Sequence, residues 1–215
     1  YSEGDGAVVI EQGGNALAAD VDSTNLDTGT LTVSIPSGGD SAEDVLSIRN
    51  QGTGAGQIGV SGSNITYGGT TIGTFTGGSG GSALVITLNS SATPTAVTAL
   101  VQNITYENTD TAAPTTGART VRYVLTDGDG GTSANYDTTV TVSGANDAPV
   151  NTVPGAQTVT EDTPLSLSGI SVNDVDGNLS TVQLAVGNGT LNVTLSGGAT
   201  ISSGSNGTNT LTLSG

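Results

Sequence analysis

Residues 31–35 read Leu-Thr-Val-Ser-Ile, with an apolar side chain at every second position. Because successive side chains of a β-strand point to opposite faces, this period of two predicts a strand with one buried face and one polar face. The same alternation returns in residues 121–125 and 136–142. The sequence therefore predicts an all-β fold built from half-buried strands of the kind found in sandwiches.

One segment departs from this alternation and shows helical spacing instead. Its apolar residues fall at positions i, i+3, i+4 and i+7: Val97, Leu100, Val101 and Ile104. Thr93 and Pro94 stand just before them, and Thr-Pro suits an N-cap followed by the first helical position. We expect a single short helix near residues 95–103.

Glycine-rich stretches predict two tight turns. Gly68-Gly69 separates two strand-like segments, and Gly187-Asn188-Gly189 stands between the alternating residues 182–186 and 191–195. A short Gly/Asn turn between alternating segments is a strong hairpin signal. We expect residues 182–195 to form a hairpin of this kind.

The composition narrows the function classes before any motif is considered. The chain has a formal charge of -16 with only three basic residues, so neither nucleic acid nor an anionic membrane is an expected partner. It contains no His and no Cys, and it therefore lacks the usual general base and thiol nucleophile. Aromatic residues make up only 3% of the chain, which leaves few stacking platforms for a sugar substrate. The sequence predicts a protein that is not an enzyme and does not insert into a membrane.

Comparing the chain with itself predicts two units of the same type. Residues 2–5 resemble residues 160–163, and residues 19–22, Ala-Asp-Val-Asp, resemble residues 173–176, Asn-Asp-Val-Asp. A repeat this long indicates successive domains with separate cores. We place the first unit at residues 1–145, a linker with a first strand at 146–156, and the second unit at 157–215. The second unit is expected to be incomplete and to need further residues or a neighbouring chain to cover its open edges.

Oxygen-bearing side chains recur at the unit boundary and in the Asp-Val-Asp pairs. Ca²⁺ prefers six to eight oxygen ligands, and two carboxylates on one side of an extended segment are costly without a cation. Asp127-Gly128-Asp129-Gly130 is equally typical of a simple turn between strands. It is not an EF-hand, because Thr138 stands where a bidentate Glu is needed.

Six stretches together resemble bacterial cadherin-like tandem repeats of large secreted and cell-surface adhesins. They are Asn146-Asp147-Ala148-Pro149, Thr160-Glu161-Asp162, the two Asp-Val-Asp pairs, Thr105-Tyr106-Glu107-Asn108 and residues 125–130. The resemblance covers the whole chain. It implies tandem Ig/cadherin-like Greek-key β-sandwiches, Ca²⁺ bound at the junctions and an extracellular location.

The resemblance also implies a set of metal ligands. The main junction would take Asp127 and Asp129 from the lower end of unit one, Asn146 and Asp147 from the linker, and Glu161, Asp174 and Asp176 from unit two. Glu3, Asp20 and Asp22 would form the matching upper half-site of unit one. The linker lacks the final Asn of the animal pattern, so the number of ions stays open.

Three functions follow from these expectations. The favoured one is a calcium-stabilised structural extender or adhesion repeat of a large extracellular bacterial surface protein, whose partners are calcium and neighbouring repeats of the same polypeptide. The second is a subunit of a self-assembling filament or surface layer, completed by strand donation between identical chains. The third is an adhesive module that binds a cell-surface glycan or protein.

Overall fold

The computed structural model describes residues 1–215. By its internal contacts the chain divides into unit one, Tyr1–Ala145, and unit two, Asn146–Gly215. The strands of unit one are β1 Val8–Val9, β2 Thr30–Ser37, β3 Asp44–Ile48, β4 Ile58–Ser61, β5 Asn64–Tyr67, β6 Thr70–Thr76, β7 Leu84–Leu88, β8 Ile104–Asn108, β9 Gly117–Leu125 and β10 Tyr136–Val142. Those of unit two are β11 Val150–Thr152, β12 Ser171–Asn173, β13 Thr181–Ala185, β14 Thr200–Gly204 and β15 Thr210–Ser214.

Unit one contains a seven-stranded and a three-stranded sheet, both antiparallel. The larger has the order β10-β9-β2-β7-β6-β5-β4, and the smaller has the order β1-β8-β3. Val33 and Ile86 from the larger sheet share one hydrophobic cluster with Leu46 and Tyr106 from the smaller. The predicted all-β, sandwich-type fold class is therefore confirmed.

The one helix, α1, spans Pro94–Val101 and lies between β7 and β8 in the chain. Thr93 caps it, since its side-chain oxygen accepts a hydrogen bond from the backbone N–H of Ala96. Leu100 packs into the core with no exposed surface. The predicted short helix is confirmed, and its eight residues are too few to cross a membrane.

The two predicted turns differ in outcome. Tyr67 pairs with Thr70 across Gly68 and Gly69, which both have positive φ, as a two-residue hairpin requires. The hairpin expected over residues 182–195 is wrong, because β13 pairs with β15. Residues 210–214 have the same alternation as β13, and this distant pairing prevails over the local turn signal.

Candidate metal site

An acidic loop lies at the turn between β9 and β10. Asp127 Oδ1 accepts hydrogen bonds from the backbone N–H groups of Asp129, Gly130 and Gly131, at 2.8, 3.1 and 2.9 Å. These bonds hold the loop in one conformation, as Asp side chains often do in turns. The Ser23 hydroxyl donates to Asp129 Oδ2 at 2.7 Å, so residues 20–23 lie beside this loop.

Asp20 and Asp22 form a close carboxylate pair at the same end of unit one. Asp20 Oδ1 accepts from the backbone N–H groups of Asp22 and Ser23, both at 3.2 Å. The side-chain hydrogen bond with Asp22 lowers the pKa of Asp20. The same bond, together with repulsion from Asp20 and Asp127, raises the pKa of Asp22. Two carboxylates this close repel each other, and either a proton or a cation between them relieves that repulsion.

Glu3 lies at the opposite end of unit one. Its backbone N–H donates to the Ser143 carbonyl at 2.9 Å, and its Oε2 accepts from the Ala145 N–H at 2.7 Å. The nine-residue strand β9 runs from this end to the acidic loop, a distance of roughly 25 Å. Glu3 is therefore remote from Asp20 and Asp22.

This arrangement corrects two expectations. Asp127 and Asp129 were expected at the end of unit one that leads into the linker, yet they lie at the other end, with Asp20 and Asp22. Glu3 was expected to share a half-site with that pair, and it does not. The reason is topological: β9 and β10 are antiparallel neighbours, so the turn joining them and the end of β10 are at opposite ends of the sheet.

In unit two the linker residues meet the second Asp-Val-Asp pair. The Asp147 backbone N–H donates to Asp176 Oδ2 at 2.6 Å, and the Asp176 N–H donates to Asp174 Oδ1 at 3.0 Å. Asn146 Oδ1 accepts from Asn178 Nδ2 at 2.6 Å. The structure thus brings Asn146, Asp147, Asp174 and Asp176 together within unit two.

Glu161 does not join that group. Its side chain is exposed and makes no hydrogen bond, as expected for a solvated residue on a loop. Ser23 and Asn178 do join the clusters, although neither was among the residues expected from sequence. The only signal for them was their position one or two residues after an Asp-Val-Asp pair.

Buried oxygen atoms without a hydrogen-bond donor mark these clusters. Five buried side-chain oxygens in the whole chain have no partner: Glu3 Oε1, Asp20 Oδ2, Asp147 Oδ2, Thr66 Oγ1 and Tyr123 Oη. Since buried polar atoms are nearly always satisfied, each such atom requires an explanation. Three of the five belong to carboxylates of the expected ligand set: Asp20 in the cluster of unit one, Asp147 in the cluster of unit two, and Glu3, which lies apart from both. The chemistry of these oxygens fits a hard cation.

The geometry does not amount to a complete cage. No group of three or more acidic side chains has the spacing that would hold a metal ion. Asp20 and Asp22 are in contact with each other, and the Asp127 carboxylate is engaged by three backbone N–H groups. A cation would have to draw these oxygens apart from their present partners.

The close approach of the Asp20 and Asp22 carboxylates predicts a specific titration. We expect the carboxyl ¹³C resonance of Asp22 in EDTA to titrate above the ordinary Asp range, with Asp20 titrating below it. Because the pKa of Asp22 is raised in the folded state, protonation of Asp22 favours folding only at acidic pH, and this benefit is lost as the pH rises through the raised pKa. Equal titration of the two residues would contradict this coupling.

In comparisons with known proteins, no family model, curated protein or solved structure matches the chain. The fold defines the chain as an all-β protein with antiparallel sheets and one acidic cluster in each of its two units. Its likeness to cadherin-like repeats stays a prediction from sequence.

Proposed function

We propose that this chain is a calcium-stabilised repeat segment of a large extracellular bacterial surface protein, serving as a structural extender in adhesion. The observation that carries the proposal is the set of three buried carboxylate oxygens without donors, on Glu3, Asp20 and Asp147. A carboxylate oxygen that is removed from water needs a donor or a cation. The chain has only three basic residues for nineteen acidic ones, so most of its carboxylates can be neutralised only by cations from solution.

Calcium is the favoured ion because all candidate ligands are oxygen atoms. Asp20, Asp22, Asp127 and Asp129 would hold one ion at one end of unit one. Glu3, at the other end, could contribute only to a separate ion. Asp147, Asp174 and Asp176, with the amide oxygen of Asn146, would hold an ion in unit two. Ca²⁺ tolerates irregular geometry and a variable number of ligands, whereas Mg²⁺ demands a near-ideal octahedron. Bound calcium would also relieve the repulsion between Asp20 and Asp22.

The proposed role is mechanical rather than enzymatic. An ion that binds the folded state and not the unfolded chain stabilises folding by mass action, by about 2.7 kcal/mol when its free concentration is 100 times Kd. Extracellular calcium would therefore keep the repeats folded without any disulfide, which suits a chain with no Cys.

Calcium-dependent unfolding of the full chain tests the proposal. We expect Ca²⁺ to raise the melting temperature relative to EDTA by roughly 5–10 °C, following the stabilisation given above. Mg²⁺ at the same concentration is expected to produce a much smaller rise. Circular dichroism at the strand band reports the transition. An equal rise with Mg²⁺, or none with Ca²⁺, would contradict a calcium site.

Matched variants locate the effect. Asp20→Asn removes the charge at an unpartnered buried oxygen, and it should abolish most of the calcium-induced rise for unit one. The control is Asp162→Asn, an exposed residue with positive φ, a backbone conformation that Asn adopts readily. This control should keep the full response. A loss of response in both variants would point to diffuse electrostatic attraction instead of a site.

A further inference from the structure

We propose that the free edge of β13 in unit two is a docking surface for one extended strand with the residue pattern of β9. The three strands of that sheet have the order β13-β15-β14, and β13 has no neighbour on its outer side. This inference does not depend on calcium binding. It rests on a comparison of the two units strand by strand.

The three-stranded sheet of unit two repeats the centre of the large sheet in unit one. In unit one, β2, β7 and β6 are antiparallel neighbours in that order across the sheet, as β13, β15 and β14 are in unit two. In both sheets the strand that comes last in the chain lies between the other two. The registers also correspond. Leu31 and Val33 of β2 lie opposite Ile86 and Leu84 of β7. Val182 and Leu184 of β13 lie opposite Leu213 and Leu211 of β15. The outer edge of β13 is thus the edge that β9 occupies on β2.

Burial differs between the two sheets: β2 has β9 on its outer side, whereas β13 is an edge strand. In unit one, Leu31, Val33, Leu84 and Ile86 are each at most 1% exposed. Among their counterparts in unit two only Leu211 is buried, while Val182, Leu184 and Leu213 stay partly exposed. The apolar face therefore has surface that a further strand would cover.

The other edge of this sheet is less suited to an incoming strand. The pairing of β14 with β15 is shifted by an irregularity between Ile201 and Ser203, and β14 ends at Gly204 with positive φ. Such bulges protect sheet edges from further pairing. By contrast β13, Thr-Val-Gln-Leu-Ala, is regularly paired with β15 and contains no Pro and no charged residue. It carries none of the usual features that block edge pairing.

Charge favours a basic strand as the occupant. Unit two contains five acidic residues, Asp147, Glu161, Asp162, Asp174 and Asp176, and no basic one. β9 carries two of the three basic residues of the chain, Arg119 and Arg122. In unit one, Tyr123 and Leu125 of β9 lie opposite Val33 and Leu31. A strand of this pattern on β13 would place its apolar residues opposite Leu184 and Val182.

The hydrogen-bond direction of β9 provides a sharp control. The Thr126 N–H donates to the Thr30 carbonyl at 2.8 Å, so it faces β2. Backbone N–H groups alternate along a strand, and those of Arg122 and Val124 therefore face β2 as well. Those of Val121 and Tyr123 face the opposite side. In a strand docked in the same way on β13, only the N–H groups of Arg122 and Val124 would donate hydrogen bonds to β13.

The test is binding of a fluorescein-labelled peptide of residues 117–125 to the full chain, followed by anisotropy and by ¹⁵N NMR of the chain. We expect saturable binding, with shifts concentrated in β13 and at Leu213. N-methylation at Arg122 and Val124 should weaken binding roughly tenfold or more, because it removes two backbone donors. N-methylation at Val121 and Tyr123 should change it by less than about threefold. The peptide variant Tyr123→Ser should also bind more weakly.

Three outcomes would overturn the inference. The first is absence of binding in both Ca²⁺ and EDTA. The second is equal loss for both methylated peptides, which would indicate contact without strand pairing. The third is dimerisation of the chain through β13 that the peptide fails to dissociate, which would assign the edge to a second copy. A calcium-dependent rise in melting temperature could persist in each case, so the two proposals fail separately.

Discussion

Arg119→Met is expected to lower the free energy of unfolding of unit one by about 3–5 kcal/mol, the usual cost of leaving one member of a buried ion pair alone. Arg119 is 1% exposed, and its Nε lies 3.2 Å from Asp44 Oδ2. Tyr106 and Asn108 also donate hydrogen bonds to the Asp44 carboxylate. Without the guanidinium this carboxylate would stay buried with no cation beside it. Urea unfolding of the full chain measures the loss.

The same strand supplies a matched control for Arg119→Met. Arg122 also lies on β9 and pairs with Asp137 at 2.7 Å, but both side chains are more than a third exposed. Water already screens that pair, so Arg122→Met should cost little. The double variant Arg119→Met with Asp44→Asn should recover part of the loss, since no buried charge remains. Equal costs for the two Arg substitutions would show that burial of the Arg119 pair is unimportant.

Gly128→Ala is expected to cost about 3 kcal/mol and to weaken the calcium response of unit one. Gly128 has φ of +92°, and a Cβ there would lie 2.0 Å from the Asp27 carbonyl oxygen. Relief of that clash requires the acidic loop to move away from residues 27–29. Such a movement would carry Asp127 and Asp129 away from the Asp20 pair. Urea unfolding with Ca²⁺ and with EDTA measures both effects.

Gly130→Ala is the control for this substitution. Gly130 also has positive φ, at +112°, but no atom lies within 4 Å of a Cβ placed there. Gly130→Ala should therefore lose only the stability that a positive φ costs a residue with a Cβ, and it should keep its calcium response. Equal losses of stability and of calcium response in the two variants would contradict this prediction. They would show that packing of the loop against Asp27 does not position Asp127 and Asp129.

Local features of the fold were predictable because their causes lie within a few residues. The alternation in residues 31–35 gave a strand, the cap at Thr93 gave a helix, and Gly68-Gly69 gave a tight turn. The hairpin at residues 187–189 failed because a turn signal does not choose the partner of a strand. Pairing depends on which distant segment covers the same apolar face, and propensity carries no such information.

The kinds of ligand in the candidate sites were readable from residue types, since carboxylates near Asp-Val-Asp pairs suit a hard cation. Their grouping was decided only by the tertiary structure. Antiparallel pairing of β9 with β10 placed Asp127 and Asp129 beside Asp20 and Asp22, and left Glu3 beside Ala145 at the other end. This division follows from strand direction, which determines the end of a sheet where each loop lies. A linear pattern of residue types contains no such direction until the strands have paired.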